Sequence, residues 1–208
     1  MYVTSTETGK RTQADRRATT RRALLNAARA LFSQQGYAAT STEVIVRQAA
    51  VTRGALYHHF ADKQDLFRTV IEEIESEIDR RVIDAAVDAS DPVQAFIAGS
   101  DAFLDLCLEP DVKQILLLDG PAVLGWREWH AIDVRHAVAQ LERGLGDLIE
   151  AGCLVPQPIL PLAILIHGAL IEAGLTIAAA ADAAAERAAL GASLQHLLGL
   201  DPTRPDSR

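Results

Sequence analysis

Apolar residues recur every three to four positions along most of the chain, and the runs end at glycine, proline or short polar segments. This spacing is typical of amphipathic helices that bury one face. No stretch of alternating β-branched residues with hairpin turns is present, so the pattern predicts an all-α fold. The predicted helices cover residues 19–35, 40–50, 52–58, 63–86, 92–108, 111–118, 126–151, 160–180 and 183–198.

Local signals mark the ends of several predicted helices. Gly36 is expected to end the first helix, and Thr40 with Glu43 has the spacing of a capping box at the start of the second. Pro92 suits the first turn of a helix, so a new helix is expected there. Gly120-Pro121 predicts a loop between two later helices.

These boundaries predict five segments. We expect a flexible basic arm over residues 1–18, because that stretch is polar and uncapped. A three-helix, helix-turn-helix DNA-binding domain should follow over 19–62, and a second helical domain over 63–200. Its first helix, 63–86, would join the two domains. The polar residues 201–208 are expected to form a loose tail.

Charge is divided unevenly between the two halves of the chain, whose overall net charge is −8. Residues 1–63 carry ten Lys and Arg against four Asp and Glu, a net of +6, whereas residues 64–208 carry ten against twenty-four, a net of −14. A basic segment on an acidic body places a phosphate-seeking surface at one end of the molecule. The N-terminal part is therefore the candidate nucleic-acid interface.

Residues 40–60 have the pattern of a helix-turn-helix, in which a short second helix enters the DNA groove and must be polar on its outer face. The residues expected on the inner, apolar side are Val44, Ile45, Ala49, Val51 and Leu56. The residues expected to point outward are Thr42, Thr52, Arg53, Tyr57 and His58.

Arg53 is the candidate for direct base readout, because a guanidinium at the start of the recognition helix can donate two hydrogen bonds to guanine. Gly54 and Ala55 lack bulk, which would allow the backbone to approach DNA closely, and Ala55 could touch a thymine methyl group. Lys63, at a helix N-terminus, is expected to bind a phosphate. Thr42, Thr52, Tyr57 and His58 carry donors suited to phosphate oxygens.

The segment ALLNAARALFSQQGYAATSTEVIVRQAAVTRGALYHHFADKQDLF resembles the DNA-binding domain of the tetracycline-repressor (TetR) family over about residues 20–67. Its most specific part is VTRGALYHHF, followed by Lys63. The resemblance implies an all-helical homodimer that represses transcription, contacts a near-palindromic operator and is released by a small effector. It also implies that the last two helices, about 160–198, pair with their copies. The residues matched to operator contacts are Thr42, Thr52, Arg53, Tyr57, His58 and Lys63.

The segment departs from the family pattern at two positions. Family members commonly have glycine at the position of Ala50, and we expect alanine to be tolerated if its φ angle is negative. Some members place a basic residue where Glu43 stands, and we expect Glu43 to cap a helix rather than contact a base.

The C-terminal domain carries no pattern typical of an enzyme. It has no glycine-rich phosphate loop, no His-Glu-x-x-His pair and no clear nucleophile with a positioned base. Cys107 and Cys153 lack a nearby ligand pattern, so we expect two small buried apolar side chains rather than a metal site or a disulfide. The sequence thus predicts no catalytic residue, cofactor or metal.

An apolar or aromatic effector is expected to bind between helices of the C-terminal domain, although ordinary core packing would explain the same aromatic residues. His167 and Glu172 interrupt an apolar helix and are expected to find partners at a subunit interface. Small residues in the last two helices would allow close approach there: Gly168, Ala169, Ala173, Gly174, Ala188, Ala189 and Ala192. The candidate effector contacts are Phe96, Phe103, Cys107, Leu117, Trp126, Trp129, His130, Asp133 and His167.

Two other classes of function remain open from the residues alone. The chain could be a small-molecule binding protein or enzyme that keeps a helix-turn-helix as a packing element, or a protein that coats DNA without sequence preference. No run of roughly 18 apolar residues free of charge is present, and the first residues lack the apolar core of a secretory signal. We therefore expect a cytoplasmic protein that does not contact a membrane.

Overall fold

The structure, a computed structural model, describes residues 12–200. Within this range the chain forms nine α-helices and one π-helix and has no β-strand, which confirms the predicted all-α fold. The tail predicted over residues 201–208 and most of the arm lie outside the described residues. The helices are α1 (Gln13–Ala39), α2 (Thr42–Gln48), α3 (Arg53–His59), α4 (Lys63–Val87), α5 (Pro92–Leu106), the π-helix (Val112–Asp119), α6 (Gly120–Leu124), α7 (Trp126–Glu150), α8 (Ile159–Ala179) and α9 (Ala183–Leu197).

Helix α1 begins six residues earlier than the sequence pattern predicts. Thr12 and Asp15 form a capping box in which the Asp15 amide donates to Thr12 Oγ1 at 3.1 Å and the Thr12 amide donates to Asp15 Oδ2 at 3.0 Å. Periodicity missed this turn because its side chains are all exposed and no apolar stripe runs through it. Gly36 does interrupt the helix, with φ of 77°, but a further helical turn follows it.

The predicted capping box of α2 is wrong by one residue. Ser41, not Thr40, caps the helix, because its side chain accepts a hydrogen bond from the Val44 amide. Thr40 is instead buried, and its hydroxyl donates to the Gly36 carbonyl at 2.8 Å. Thr40 and Ser41 both carry a hydroxyl group, so the sequence allowed either of them to cap the helix.

The second half of the chain differs from the predicted pattern around Gly120-Pro121. Residues 120–124 form α6 rather than a loop, since Pro121 occupies the first turn, where a missing amide proton costs nothing. The preceding segment, predicted as an α-helix, is the π-helix. At Pro92 the prediction is confirmed, because the Asp91 side chain caps α5.

Ala50 lies in the turn between α2 and α3 and has φ of 53°, in the left-handed region. The expectation of a negative φ is therefore wrong. Its amide donates to the Arg47 carbonyl and the Val51 amide donates to Val46, a helix ending whose left-handed residue is usually glycine. The Cβ of an L-residue costs roughly 1–2 kcal/mol in this conformation.

We expect Ala50→Gly to raise the free energy of unfolding by about 1 kcal/mol, because relief of the left-handed strain exceeds the entropy that glycine adds to the unfolded chain. A thermal melt should show an increase of roughly 2–4 °C. Ala139→Gly, at an exposed position inside α7, should lower stability by roughly 0.5–1 kcal/mol instead. Equal losses in both variants would show that Ala50 is unstrained.

The core runs continuously from the N-terminal helices into the C-terminal ones. Phe32, Tyr37 and Phe67 form an aromatic group that joins α1 to α4, with ring centroids 4.9 to 5.6 Å apart. Cys107 is buried as predicted, whereas Cys153 is exposed, so the prediction of a buried thiol there is wrong. Cys153 follows Gly152 in the connection after α7, where the chain leaves the core.

Helix α8 has the length and composition of a membrane-crossing helix, with a mean hydropathy of 1.9. Half of that window is buried inside the protein, and core helices that cross no membrane can share this length and composition. Its exposed apolar side chains include Leu160, Ile164 and Leu165, which are 49%, 54% and 70% exposed. They share one face with Gly168 and Ala169, which are also exposed.

Candidate nucleic-acid interface and ligand cavity

Helix α3 presents its polar N-terminal end to solvent and buries Leu56 against the core. Thr52 caps the helix by accepting from the Ala55 amide at 3.2 Å. The outer residues predicted from the sequence, Thr52, Arg53, Tyr57 and His58, are all exposed, whereas Thr42 and Ala55 are half-buried. Because one short helix carries three of these side chains and Thr52 caps it, the four form a single outward surface.

Arg53 lies at the first position of α3 with its guanidinium largely exposed. Its Nη1 is 3.3 Å from Oε1 of Glu43, and its guanidinium carbon is 5.6 Å from the ring centroid of Tyr57. Glu43 lies in the first turn of α2, and hydrogen bonds from its own amide and from Ser41 lower its pKa. The ionised carboxylate and the Tyr57 ring therefore hold the guanidinium at the start of the helix.

Lys63 is the first residue of α4, as predicted. Its ammonium donates to the carbonyl oxygens of Tyr37 and Thr40, at 2.9 Å each, and lies 3.8 Å from the Tyr37 ring centroid. Partial burial lowers its pKa. Two of its three donors are thus used within the protein, so Lys63 fixes α4 against the end of α1 and keeps one donor for an anion.

Gly54 is not required by the packing of the protein. Of the described residues, a Cβ built there would have only Thr52 Oγ1 near it, at 3.9 Å. Glycine inside a helix costs roughly 0.5–1 kcal/mol relative to alanine. The space beside Gly54 therefore lies on the outer side of α3. A helix that enters a DNA groove needs such space for close approach.

A cavity of about 440 Å³ opens among α4, α5, α7 and α8, within the size range of small-molecule sites. Its walls are mainly apolar, with Ile78, Val82 and Phe103 among them. The predicted effector residues that line it are Phe96, Phe103, Asp133 and His167.

The other five predicted effector contacts do not line this cavity. Trp129 is fully buried, and its ring occupies the space beside Gly120, where a Cβ would approach it to 2.7 Å. Trp126 is 56% exposed and stacks on His130 with ring centroids 5.2 Å apart. Cys107 and Leu117 are buried against Gly174. For Cys107, Leu117 and Trp129 the alternative of ordinary core packing describes the structure better.

His167 lies beside Asp133 of the same chain and is buried, so it does not stand on the exposed face of α8 where an interface partner was expected. Its Nε2 lies 2.7 Å from Oδ2 of Asp133, and both side chains are buried. The two atoms are not aligned as a hydrogen-bond donor and acceptor, and within residues 12–200 neither has another hydrogen-bond partner. Glu172 is exposed on the opposite side of α8.

Glu75 is a cavity residue that the sequence analysis missed. It is 4% exposed, and its Oε1 has no hydrogen-bond partner in the part of the chain that the structure describes. Burial raises the pKa of its carboxyl group well above the usual value, and the nearby charges of Asp133 and Asp79 raise it further. The sequence did contain a signal for a buried acid, because Glu75 stands between Ile74 and Ile78 in the apolar stripe of α4.

We expect Glu75→Gln to stabilise the protein at pH 8 and to have a smaller effect at pH 5. A carboxyl group whose pKa is higher in the folded state keeps a proton that the unfolded chain releases, so the free energy of unfolding falls as pH rises above about 4.3. A neutral amide removes this loss, worth on the order of 1 kcal/mol or more. Denaturant titrations at both pH values measure it.

Glu72→Gln is the matched control, because Glu72 lies on the same helix with a side chain 44% exposed. It should not change the pH dependence of stability. If wild type and Glu75→Gln lose stability in parallel from pH 5 to pH 8, the Glu75 carboxyl group is not neutral in the folded protein.

Two sets of contacts connect the C-terminal domain with the helix-turn-helix, and the first of them, along α4, reaches the cavity. Helix α4 begins at Lys63 and carries Glu75 and Ile78 into the cavity wall. The π-helix ends at Asp119, whose Oδ2 accepts a hydrogen bond from the Tyr37 amide at 2.7 Å. The remaining links are the ion pairs of Arg29 with Glu77 and Asp111, the pair of Arg68 with Glu128, and the bond from Gln64 to the Val123 carbonyl.

The three-helix unit with its exposed α3, followed by a helical domain with a cavity, defines the class of helix-turn-helix transcriptional regulators. Residues 24–70 match the family model described as bacterial regulatory proteins, tetR family, and residues 93–200 match the tetracyclin repressor-like C-terminal domain. The second match alone covers half of the chain. The protein therefore belongs to the TetR family of DNA-binding transcriptional regulators, which are not enzymes.

Individual relatives agree with this assignment. A TetR-family regulator from Pectobacterium atrosepticum is 39% identical, with a TM-score of 0.81 over 94% of this chain and 100% of its own. The Transposon Tn10 TetC protein of Escherichia coli is 28% identical over 131 residues, which span 63% of this chain and 66% of TetC. RolR in complex with resorcinol shares the fold, at 18% identity and a TM-score of 0.71 over 94% of this chain and 100% of its own.

Proposed function

We propose that the protein is a cytoplasmic repressor that binds a near-palindromic operator as a homodimer and is released by a small apolar or aromatic effector. The observation that carries the DNA-binding part is the outward surface of α3. Arg53 stands at the start of that helix beside Gly54, and the fold requires neither residue for its own packing. The proposed division is a DNA-binding domain over residues 19–62 and an effector and dimer domain over 63–200.

The proposed DNA contacts follow from this surface. Arg53 reads a base edge, and Gly54 and Ala55 allow close approach. Thr52, Tyr57 and His58 donate to phosphates from the same face of the helix. Lys63 is proposed to contact a phosphate with its remaining donor. Thr42 is proposed to contact another with its hydroxyl, which in the free protein donates to Glu43 Oε2 at 3.4 Å. When DNA binds, the ion pair between Arg53 and Glu43 would either break, which frees the guanidinium for the base, or persist and orient the guanidinium towards it.

The proposed dimer pairs α8 and α9 with their copies. The exposed apolar side chains of α8 recur at helical spacing, and contiguous exposed apolar surface is typical of protein interfaces. Gly168, Ala169, Ala188, Ala189 and Ala192 are exposed beside them and allow close helix packing. Gly174 is excluded from this surface, because a Cβ there would meet Cys107 Sγ at 3.1 Å inside the chain. Such a dimer would present two recognition helices roughly 34–36 Å apart.

The proposed effector occupies the cavity and acts through α4 and the π-helix. Apolar walls favour an apolar or aromatic compound, and resorcinol, an aromatic compound, is bound by RolR. A ligand can shift the protein only through its different affinity for the DNA-bound and released shapes, typically by a factor of about 5 to 150. A displacement of α4 would change the spacing of the recognition helices.

A mobility-shift titration against the DNA that flanks the gene, with scrambled DNA as competitor and salt varied, tests the proposed function. A discrete complex of two chains that survives the competitor is the expected result. Equal affinity for scrambled DNA at every salt concentration would instead indicate a protein that coats DNA through phosphate contacts alone.

For the effector, we expect Ala137→Phe to abolish the thermal stabilisation that a bound compound gives to the wild type. Ala137 lines the cavity, and a phenyl ring there would fill the space that the compound needs. A screen of apolar and aromatic compounds by thermal shift, followed by titration of the hits, measures this. Ala139→Phe, two residues along α7 and exposed, should keep the shift. An equal shift in both variants would place the compound elsewhere.

A further inference from the structure

Three side chains that can bind metal ions meet where α7 packs against α8. His130 and Asp133 lie one turn apart on α7, and His167 faces them from α8. Their ligand atoms, His130 Nδ1, Asp133 Oδ2 and His167 Nε2, all lie within 4.8 Å of one another. Asp133 Oδ2 is 2.7 Å from His167 Nε2 and 3.9 Å from His130 Nδ1.

The same three atoms are buried and have no hydrogen-bond partner among residues 12–200. A buried polar atom without a partner costs roughly 1–3 kcal/mol, and more if it is charged. A single proton between His167 and Asp133 could satisfy that pair only if the two groups were aligned, and it would leave His130 unsatisfied. One cation at the centre would satisfy all three atoms at once.

We propose that His130, Asp133 and His167 form a binding site for a divalent transition-metal ion of the Zn²⁺ type. Two imidazole nitrogens and one carboxylate oxygen suit Zn²⁺, Co²⁺ or Ni²⁺ better than the oxygen-seeking Ca²⁺ or Mg²⁺. Bonds of about 2.0–2.2 Å in a tetrahedron separate ligand atoms by roughly 3.3 Å. The distances of 2.7 and 3.9 Å stand on either side of this value, so small side-chain rotations complete the geometry.

The surroundings support three ligands and one open position. Trp126 stacks on the His130 ring at an interplanar angle of 12°, which holds the ring in place. Asp133 and His167 both line the cavity, so the fourth position faces the space proposed for the effector. A site with three protein ligands and one open position binds water or a donor atom of a second molecule.

The test uses the untagged full-length chain, treated with a chelator and dialysed. Titration with Co²⁺ should give one bound ion per chain and the visible absorption of a tetrahedral cobalt site, and Zn²⁺ should displace it. His130→Gln and His167→Gln should each weaken binding about 100-fold or more, because even the outer partners of metal ligands commonly contribute 10–100-fold. These measurements need no DNA and no organic effector, so their failure is separate from that of the proposed function.

His136→Gln is the matched control. His136 lies on the same helix, but its Nδ1 pairs with Asp79 at 2.5 Å, outside the cluster. This variant should bind Co²⁺ like the wild type. His130→Gln keeps the test sound if His167→Gln misfolds, because the His130 side chain is 40% exposed. Absence of stoichiometric binding, or binding that survives His130→Gln in a folded protein, would overturn the proposal, the latter by placing the ion at surface histidines.

Discussion

Replacing Arg53 with alanine is expected to weaken operator binding by roughly 30-fold or more while leaving the fold intact. A guanidinium that donates two hydrogen bonds to guanine contributes about 1–3 kcal/mol, and a homodimer loses two such contacts. The side chain is 64% exposed in the free protein, so its loss removes little packing. Fluorescence anisotropy with labelled operator DNA measures the affinity, and circular dichroism checks the fold.

Arg127→Ala is the control for charge, since Arg127 is exposed at the start of α7 and its loss changes the net charge equally. It should leave operator affinity unchanged. Binding to scrambled DNA should fall much less in Arg53→Ala than binding to the operator. An operator affinity that is the same for Arg53→Ala and wild type would remove Arg53 from the base-reading role.

A glutamate in place of Leu165 is expected to convert the protein to monomers and to abolish operator binding. Leu165 is the most exposed of the large apolar residues on α8. In the proposed dimer each copy would bury an unpaired carboxylate, at a cost of several kcal/mol. A cost of roughly 4 kcal/mol raises the dissociation constant about a thousandfold. Sedimentation analysis at micromolar concentration measures the change in mass.

Val155→Glu is the matched substitution outside the proposed interface. Val155 is 77% exposed in the loop before α8, so the same change in charge should leave both the dimer and operator binding intact. A dimeric Leu165→Glu protein would show that α8 does not form the interface.

The sequence predicted helices best where one apolar stripe and one local cap agree. At α3 and α4 the caps Thr52 and Asp62 stand directly before the apolar pattern, and the helices begin within a residue of the prediction. The start of α1 and the short α6 were missed because neither carries a buried stripe of its own. The start of α1 depends on the hydrogen bonds of its capping box, and α6 depends on the geometry of Pro121. The spacing of apolar residues carries no information on either.

The two candidate sites differ in how far the sequence could define them. The α3 surface depends on neighbouring residues of one short helix, so spacing alone could place Arg53 and Tyr57 on the same side. The cavity depends on how four helices pack. Aromatic content drew attention to Trp126 and Trp129, which do not line the cavity. Of the buried polar residues that do line it, the sequence analysis named Asp133 and His167 and missed Glu75. Glu75 lies 58 residues from Asp133 in the chain, and only the packing of α4 against α7 brings them together.

The proposed pairing of the exposed apolar face of α8 would also determine how the regulator responds to its own abundance. If pairing of that face is required for operator binding, occupancy at low expression varies with the square of the chain concentration, because two chains must meet first. Repression would then begin abruptly once the cell holds enough copies. Substitutions on α8 that change pairing strength would move this threshold without touching a single DNA contact.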